Sequence, residues 1–530
     1  MTSSRLVRTG VLALSLGLSM SACSVASSSS HAHSAVQPVE VPNQPTPPPL
    51  FGPPTTRPAV RLPDRPNVVM ITTDDMSVTD MPYMPQVRRL MQREGVTFRN
   101  AIAPTSICVP ARASLLSGQY ATNHGAYTIT GKHGGFQAFS EHRTLPVWLE
   151  HAGYRTYFAG KYLNGYGDPG TDQRYVPPGW DDWRGTVGGS TYNFSGPTFN
   201  LNGHIVPTHA YSTDTIRDQS LAQLRDQAER HPHQPFFQWV NYVAPHEGSA
   251  GPDDDTLHEF SESNDQLTTT SPAPADRGRF AGIALPALPD MFRPPHGAPP
   301  DSPTRARTWD RDGREALRIS FQRRIEALQD VDRSVAATIA QLRAMKQLRK
   351  TVVIFASDNG YVVGEHNILG KLWGYNDIDR IPMVIRGPGV PHGKKVSTIV
   401  TNPDIATTIA ALARAHPTRP QDGVNFFPWL HTGYRVRVVP LIAWPVHDGR
   451  GRPAQFKGVR VGPWTYLHYR LGGEEMYDRS TDPYELHNLA VKPRFHAQLV
   501  ELRKLTRRYV KCAGRTCPKD FYAPPTAGIV

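Results

Sequence analysis

The chain has 530 residues, 39% of them hydrophobic and 20% charged, which is too apolar for a disordered chain and long enough to bury a large core without cross-links. Its net charge of +12 comes from 58 lysines and arginines against 46 aspartates and glutamates, with no block of five or six cations, so nucleic acid is not expected as a partner. Four cysteines exclude a disulfide scaffold, and no apolar run beyond the N-terminus reaches the length of a membrane-spanning helix.

Arg5 and Arg8 precede an apolar stretch from Gly10 to Ala22 that is too short for a stable span. It ends in Met20-Ser21-Ala22-Cys23, which resembles a bacterial lipobox with Cys23 as the lipidated residue. Ordinary secretion with later cleavage is the alternative. Residues 1–23 therefore read as an export signal, and the protein is expected outside the cytoplasm, extracellular or held at a cell envelope. Contact with a membrane is expected only through an anchor at Cys23. Residues 24–64 carry a serine run (Ser27–Ser30) and dense prolines (Pro45, Pro47, Pro48, Pro49) and read as a disordered tether.

From residue 65 strands alternate with helices. Asn67–Thr73 is a continuous apolar run rich in β-branched residues and predicts a strand buried on both faces. Helical patterns follow at Met84–Glu94 and Leu145–Ala152, and a second strand at Arg155–Ala159. Pro235–Val243, Thr351–Ala356 and Pro382–Ile385 predict three more strands. Glu315–Lys346 predicts a long amphipathic helix with one interruption or bend. Residues 250–310 are polar and proline-rich and read as a surface excursion. Beyond about 430 the pattern becomes short strands (Lys457–Val461, Trp464–Leu467) and a helix over Pro493–Val510. The fold class is α/β, a mixed, mostly parallel sheet between helices over 65–430, with a smaller α+β subdomain over 431–530. Cys512 and Cys517 enclose a short loop and are expected to pair.

Two strands end in paired oxygen donors: Asp74-Asp75 after the first, and Ser357-Asp358-Asn359-Gly360 after the fourth. Strand ends of this kind collect ligands in open α/β sheets, and carboxylate and amide oxygens suit Ca²⁺ or Mg²⁺. Either pair alone reads more readily as a helix cap. Cys108-Val109-Pro110-Ala111-Arg112, continuing as Ala113-Ser114-Leu115-Leu116-Ser117-Gly118, is the most specific motif in the chain.

This Cys-x-Pro-x-Arg block resembles the signature of the formylglycine-dependent sulfatases. Further blocks fall in that family's order: Gly160-Lys161-Tyr162-Leu163-Asn164, Ala244-Pro245-His246, Ser357-Asp358-Asn359-Gly360-Tyr361, Gly364-Glu365-His366 through Gly370-Lys371, Arg386-Gly387-Pro388-Gly389, and Tyr477-Asp478 with Asp482-Pro483-Tyr484-Glu485-Leu486-His487-Asn488-Leu489. The resemblance covers about residues 65 to 490. It is greatest to N-acetylglucosamine-6-sulfatases and extracellular heparan 6-O-endosulfatases. It implies an alkaline-phosphatase-like sandwich. It also implies that a formylglycine-generating enzyme oxidises Cys108 to Cα-formylglycine, whose hydrate is the nucleophile.

By the same resemblance one divalent ion, Ca²⁺ or alternatively Mg²⁺, would be held by Asp74, Asp75, residue 108, Asp358 and Asn359. Arg112 would orient the formylglycine, and Lys161 and Lys371 would contact sulfate oxygens. His246 or Lys371 would protonate the leaving alcohol. Two departures stand out. Leu163 occupies a place where many arylsulfatases carry histidine. Ile378, flanked by Asp377 and Asp379, stands where the glucosamine branch commonly has aspartate. The expected function is hydrolysis of a sulfate monoester, on a sulfated small molecule or glycan. The alternatives are phosphonate monoester or phosphodiester hydrolysis on the same scaffold, or non-catalytic binding of sulfated glycans.

Overall fold

The computed structural model describes residues 64–248, 257–260, 265–431, 436–448 and 453–518. The export signal, Cys23 and the tether through residue 63 lie outside the described residues.

The first apolar run forms β1 (Asn67–Thr73), buried along its whole length. It lies near the middle of a ten-stranded sheet. With β2 (Gly95–Phe98), β3 (Arg155–Gly160), β4 (Asp182–Thr186), β5 (Thr198–Leu201), β6 (His204–Pro207), β7 (Phe236–Asn241), β8 (Thr351–Ser357), β9 (Met383–Arg386) and β10 (Lys394–Val396), the order is β10-β2-β9-β8-β1-β7-β3-β4-β5-β6. The central strands β8, β1, β7, β3 and β4 are parallel. β9 runs antiparallel to β8, and β5 to β4. In register, Val68 faces Val352 and Phe237, and Thr73 faces Ser357.

Side chains alternate across the sheet, so each strand feeds two cores. One core joins Val68, Met70, Phe158 and Ile354 to α1 (Cys108–Ser117), α2 (Leu145–His151) and later helix residues such as Ile405. The opposite core joins Val69, Ile71, Tyr157 and Phe355 to α3 (Ser212–Arg230) and α4 (Arg311–Ala344). Helices on both faces explain why the central strands read as unbroken apolar runs.

The expected long helix is α4, which runs without interruption from Arg311 to Ala344. Asp310 caps it by accepting a 2.8 Å bond from Gly313 N. The helix expected at Met84–Glu94 is instead broken into a 3-10 segment (Val78–Tyr83), a single α turn (Pro85–Val87) and a π turn (Arg88–Gln92). Pro82 and Pro85 remove amide donors and limit each piece. The excursion around 250–310 is no simple surface loop where it is described. Asp276, Asp290 and Thr304 are buried, and Arg333 of α4 pairs with Asp276 at 2.6 Å. The sequence reading passed over β4–β6 and α3, whose strands are short and mixed in polarity.

The C-terminal part forms a separate antiparallel sheet, in the order β11 (Val438–Ala443), β12 (Phe456–Val461), β13 (Trp464–Tyr469) and β14 (Glu474–Asp478). It is covered by α5 (His496–Tyr509) through Leu499, Leu502 and Leu505. Cys512 and Cys517 form the expected disulfide.

Candidate active site

Asp74 and Asp75 follow β1, Lys161 follows β3, and Asp358 and Asn359 follow β8. Parallel neighbours bring these ends to one edge of the sheet. Gly160 lets two of them touch: its φ is +104°, and a Cβ there would lie 2.0 Å from the Asn241 carbonyl oxygen of β7. The next residue, Lys161, therefore emerges directly into the site.

Cys108 is the first residue of α1, a helix with all ten residues buried. Its sulfur lies 3.3 Å from Asp74 Oδ1 and 2.9 Å from Lys371 Nζ. Burial and the Asp74 carboxylate push its thiol up to about 12, so the cysteine as it stands is a protonated, poor nucleophile. Arg112 lies one helical turn on, on the same face. Its Nε donates to Asp358 Oδ2 at 2.8 Å and its Nη1 to the Lys161 carbonyl at 2.9 Å, while Nη2 is 3.5 Å from Asp74 Oδ2. Burial disfavours its charge, but Asp358 and Asp74 outweigh this and raise its pKa.

Two ammonium groups face the carboxylates. Lys161 Nζ donates to Asp74 Oδ2, and Lys371 Nζ lies 2.5 Å from Asp75 Oδ1. Burial opposes both charges, yet Asp74 and Asp75 hold these lysines above their usual range. Asp74 is buried, but Lys161 and its cationic neighbours hold its carboxyl well below the usual range. Asp358 differs: burial and the nearby Asp74 push it up to about 7. His246 Nδ1 is 2.7 Å from the Glu247 carbonyl oxygen, which fixes the proton on that nitrogen. Nε2 is thus the free nitrogen, 3.5 Å from Asp75 Oδ2.

The nine residues expected from sequence to form the site, Asp74, Asp75, Cys108, Arg112, Lys161, His246, Asp358, Asn359 and Lys371, lie together here. Asp74, Asp75, Cys108 and His246 place donor atoms within 4.8 Å of one another. Asn359 Nδ2 is 2.6 Å from Asp75 Oδ1, and its buried Oδ1 has no hydrogen-bond partner among the described residues. Hard oxygen donors and an unpartnered amide oxygen fit one divalent cation. Asp358 stands further back, because its two oxygens bond Arg112, Asp75 N and Asn359 N.

Several residues escaped the sequence reading. Tyr192 stacks on His246 at 4.6 Å and carries Lys161 Nζ 4.6 Å above its ring. Arg324 of α4 donates to the Asp75 carbonyl at 2.5 Å and to Asp80 at 3.1 Å, beneath the Asp74-Asp75 turn. Asn402 Nδ2 bonds the Asp358 carbonyl at 2.8 Å. The late motif residues act elsewhere: Glu485 holds Asn376 N at 2.8 Å. Leu163 packs into the core beside Tyr162, and Ile378 is fully buried.

The model of the family described as Sulfatase matches residues 66–415, a span that contains every residue of this cluster. The chain belongs to the sulfatase family. A second model, described as N-sulphoglucosamine sulphohydrolase, C-terminal, matches residues 364–511. The chain is 31% identical over 377 residues to an extracellular sulfatase SULF-1 homolog of Drosophila melanogaster, covering 69% of this chain and 31% of that protein. It is 29% identical to the N-acetylglucosamine-6-sulfatase of Homo sapiens, covering 69% and 64% respectively. This family member thus spans less than two thirds of either relative. A solved structure of a protein in complex with its substrate D-glucosamine-2-N,6-O-disulfate superimposes with a TM-score of 0.69 at 21% identity, over 84% of this chain and 97% of that one. That likeness shows the expected alkaline-phosphatase-like fold.

Proposed function

We propose that this protein is an exported sulfatase that hydrolyses sulfate monoesters of sulfated sugars, with residue 108 as formylglycine and one divalent ion, Ca²⁺ or Mg²⁺. The observation that carries the reading is the position of Cys108. It lies on a carboxylate pair, within 2.9 Å of the Lys371 ammonium group, and above the buried Arg112–Asp358 pair. The relatives named for N-acetylglucosamine-6-sulfatase and extracellular sulfatase support a sulfated sugar. Lipid anchoring at Cys23 belongs to the same proposal and rests on sequence alone.

A sulfate ester is anionic, and its oxygens shield sulfur from attack. Catalysis must neutralise those oxygens, align the nucleophile and protonate the departing alcohol. Asp74, Asp75, Asn359 and residue 108 would hold the ion, with Asp358 supporting them; when bound it polarises sulfate oxygens and favours an ionised hydroxyl at residue 108. The aldehyde hydrate supplies that hydroxyl, which the buried thiol cannot replace.

Lys161 and Lys371 are the sulfate-oxygen ligands. Both are charged, and both already point at carboxylates lining the place an anion would enter. Arg112 fixes residue 108 and Asp358 as a buried cation with a rigid fork. His246 would donate the leaving-group proton from Nε2 as an imidazolium formed only with the anionic substrate bound, since burial otherwise pushes the ring down to about 4. Its Nδ1 is committed to Glu247, whereas the Lys371 ammonium group already donates to Asp75 and residue 108.

A separate cleft of about 770 Å³, lined by none of the site residues, would hold a distant part of a polyanionic glycan rather than the reacting sulfate. Arg88, Arg93, Arg99, Arg380, Lys395 and Arg479 line it, and no carboxylate does. The direct test is mass spectrometry of the peptide containing residue 108, after co-expression with a formylglycine-generating enzyme, alongside sulfate release by the same preparation. Aldehyde and sulfate release together support the proposal. Aldehyde without turnover of any sulfated sugar overturns the substrate assignment.

A further inference from the structure

Among the described residues a second group of metal-type donors lies apart from the first: Asp290, His366 and Asp377. Three separate segments supply them. Asp290 belongs to the irregular stretch before α4. His366 sits in the turn of a small hairpin, between the ladder residues Val362–Val363 and Leu369–Gly370. Asp377 lies on the short turn Asn376–Asp379.

The backbone holds the three together. His366 N donates to the Asp290 carbonyl at 3.0 Å, and Phe292 N to the Gly364 carbonyl at 2.8 Å. His366 adopts φ +51° and Asn367 φ +64°, left-handed conformations that a non-glycine residue adopts at a cost. That turn aims the His366 ring inward, stacked at 4.4 Å on Tyr375.

The polar atoms of this group are not satisfied by protein. His366 and Asp290 are both 0% exposed. Neither ring nitrogen of His366, neither carboxylate oxygen of Asp290, nor Oδ2 of Asp377 has a hydrogen-bond partner among the described residues. His366 Nε2 is 3.6 Å from Asp290 Oδ2 and 3.8 Å from Asp377 Oδ2, too far for hydrogen bonds. These separations match donors arranged around an ion about 2.0–2.2 Å from each. No lysine or arginine among the described residues pairs with Asp290. Arg380 approaches only the outer oxygen of Asp377, at 3.7 Å.

We propose that Asp290, His366 and Asp377 bind a second divalent cation, of the zinc class, that staples these three segments. Two facing carboxylates need either a shared proton or a cation between them, and with an unpartnered imidazole beside them a borderline metal is favoured over calcium. Water or a backbone group would complete the coordination. Lys371 directly follows the hairpin carrying His366, so the ion would fix the segment that delivers this lysine. The site is independent of the reading of residue 108.

The test uses the full chain, dialysed against chelator, re-equilibrated with zinc, freed of excess and assayed for bound metal by mass spectrometry. The proposal expects one zinc per chain, retained in an Asp74→Asn/Asp75→Asn double variant. It expects the zinc to be lost in His366→Leu and in Asp377→Asn. Asp377 lies at the edge of the cluster, so Asp377→Asn keeps the test available if His366→Leu fails to fold, with circular dichroism as the check. Cobalt(II) in place of zinc should give a visible ligand-field band that Asp377→Asn abolishes. Zinc that is absent from the wild type, or unchanged in a folded Asp377→Asn, overturns the proposal and leaves a carboxylate pair sharing a proton. Zinc lost only in the Asp74→Asn/Asp75→Asn variant overturns it equally.

Discussion

Arg112 Nε lies 2.8 Å from Asp358 Oδ2, with both side chains withdrawn from solvent. The pair joins the cysteine-bearing helix to the end of β8, so the helix that presents residue 108 is fixed to the strand that presents Asn359. Removing one partner strands a buried charge. Arg112→Met should therefore lose on the order of 3–5 kcal/mol of stability. The measurement is a urea midpoint that falls with an unchanged slope. A midpoint within error of wild type would show that the pair holds nothing together.

His246→Ala separates the leaving-group role from sulfate binding. Sugar alcohols need a proton on departure and nitrophenolate does not. Turnover of a 6-sulfated sugar should fall about 10²- to 10⁴-fold, and nitrophenyl sulfate should lose far less. Equal losses on both esters would assign the proton to another group. Lys371→Ala should instead damage both substrates alike.

Which parts of this site were legible in the sequence follows from how far apart their partners lie in the chain. β1 was read with its bounds intact, because burial on both faces leaves an unbroken apolar run. Cys108 and Arg112 share one helical turn and therefore one local motif. Arg324 was not legible: its partner Asp75 is 249 positions away, and nothing within α4 distinguishes it from the other arginines there. Tyr192 lies among glycine, serine and threonine with no periodicity to mark it. The helix expected at 84–94 failed for a readable reason, since Pro82 and Pro85 interrupt its start. Ile378 was noted as a departure, but only the fold shows that Asp377 turns toward His366, while Asp379 meets Ser106.

Glu141 gives a pH signature. It accepts bonds from Tyr162 at 2.7 Å and Tyr175 at 3.0 Å, and burial pushes its carboxyl from 4.5 up to about 7. The fold therefore favours the protonated acid. No penalty exists below the unfolded value, the cost grows as pH rises from 4.5, and it is complete above 7. Glu141→Gln should be more stable than wild type at pH 8 by on the order of 3 kcal/mol, with the difference vanishing near pH 4. Denaturation at both pH values checks this. A difference independent of pH would contradict it.

The basic cleft predicts a dependence on substrate length. Arg99→Glu with Lys395→Glu should raise KM for a heparin oligosaccharide and weaken its salt dependence. KM for nitrophenyl sulfate should not move. If both values rise together, the cleft is not a glycan contact.

Chelation tests the ion. With zinc resupplied throughout, dialysis against a strong chelator should abolish turnover while leaving far-ultraviolet circular dichroism unchanged, and added Ca²⁺ or Mg²⁺ should restore it. Asn359→Ala should raise the ion concentration needed for recovery. Full activity after exhaustive chelation would contradict the assignment of Asp74, Asp75 and Asn359 as ligands.

The central claim is tested most directly by sulfate release from 6-sulfated N-acetylglucosamine and a heparin oligosaccharide. The enzyme would be matured with a formylglycine-generating enzyme, with a phenyl phosphonate ester and Cys108→Ala as controls. The account predicts sulfate release from the sugars that disappears in Cys108→Ala. Turnover of the phosphonate alone, or sulfate release that survives the loss of Cys108, would contradict it.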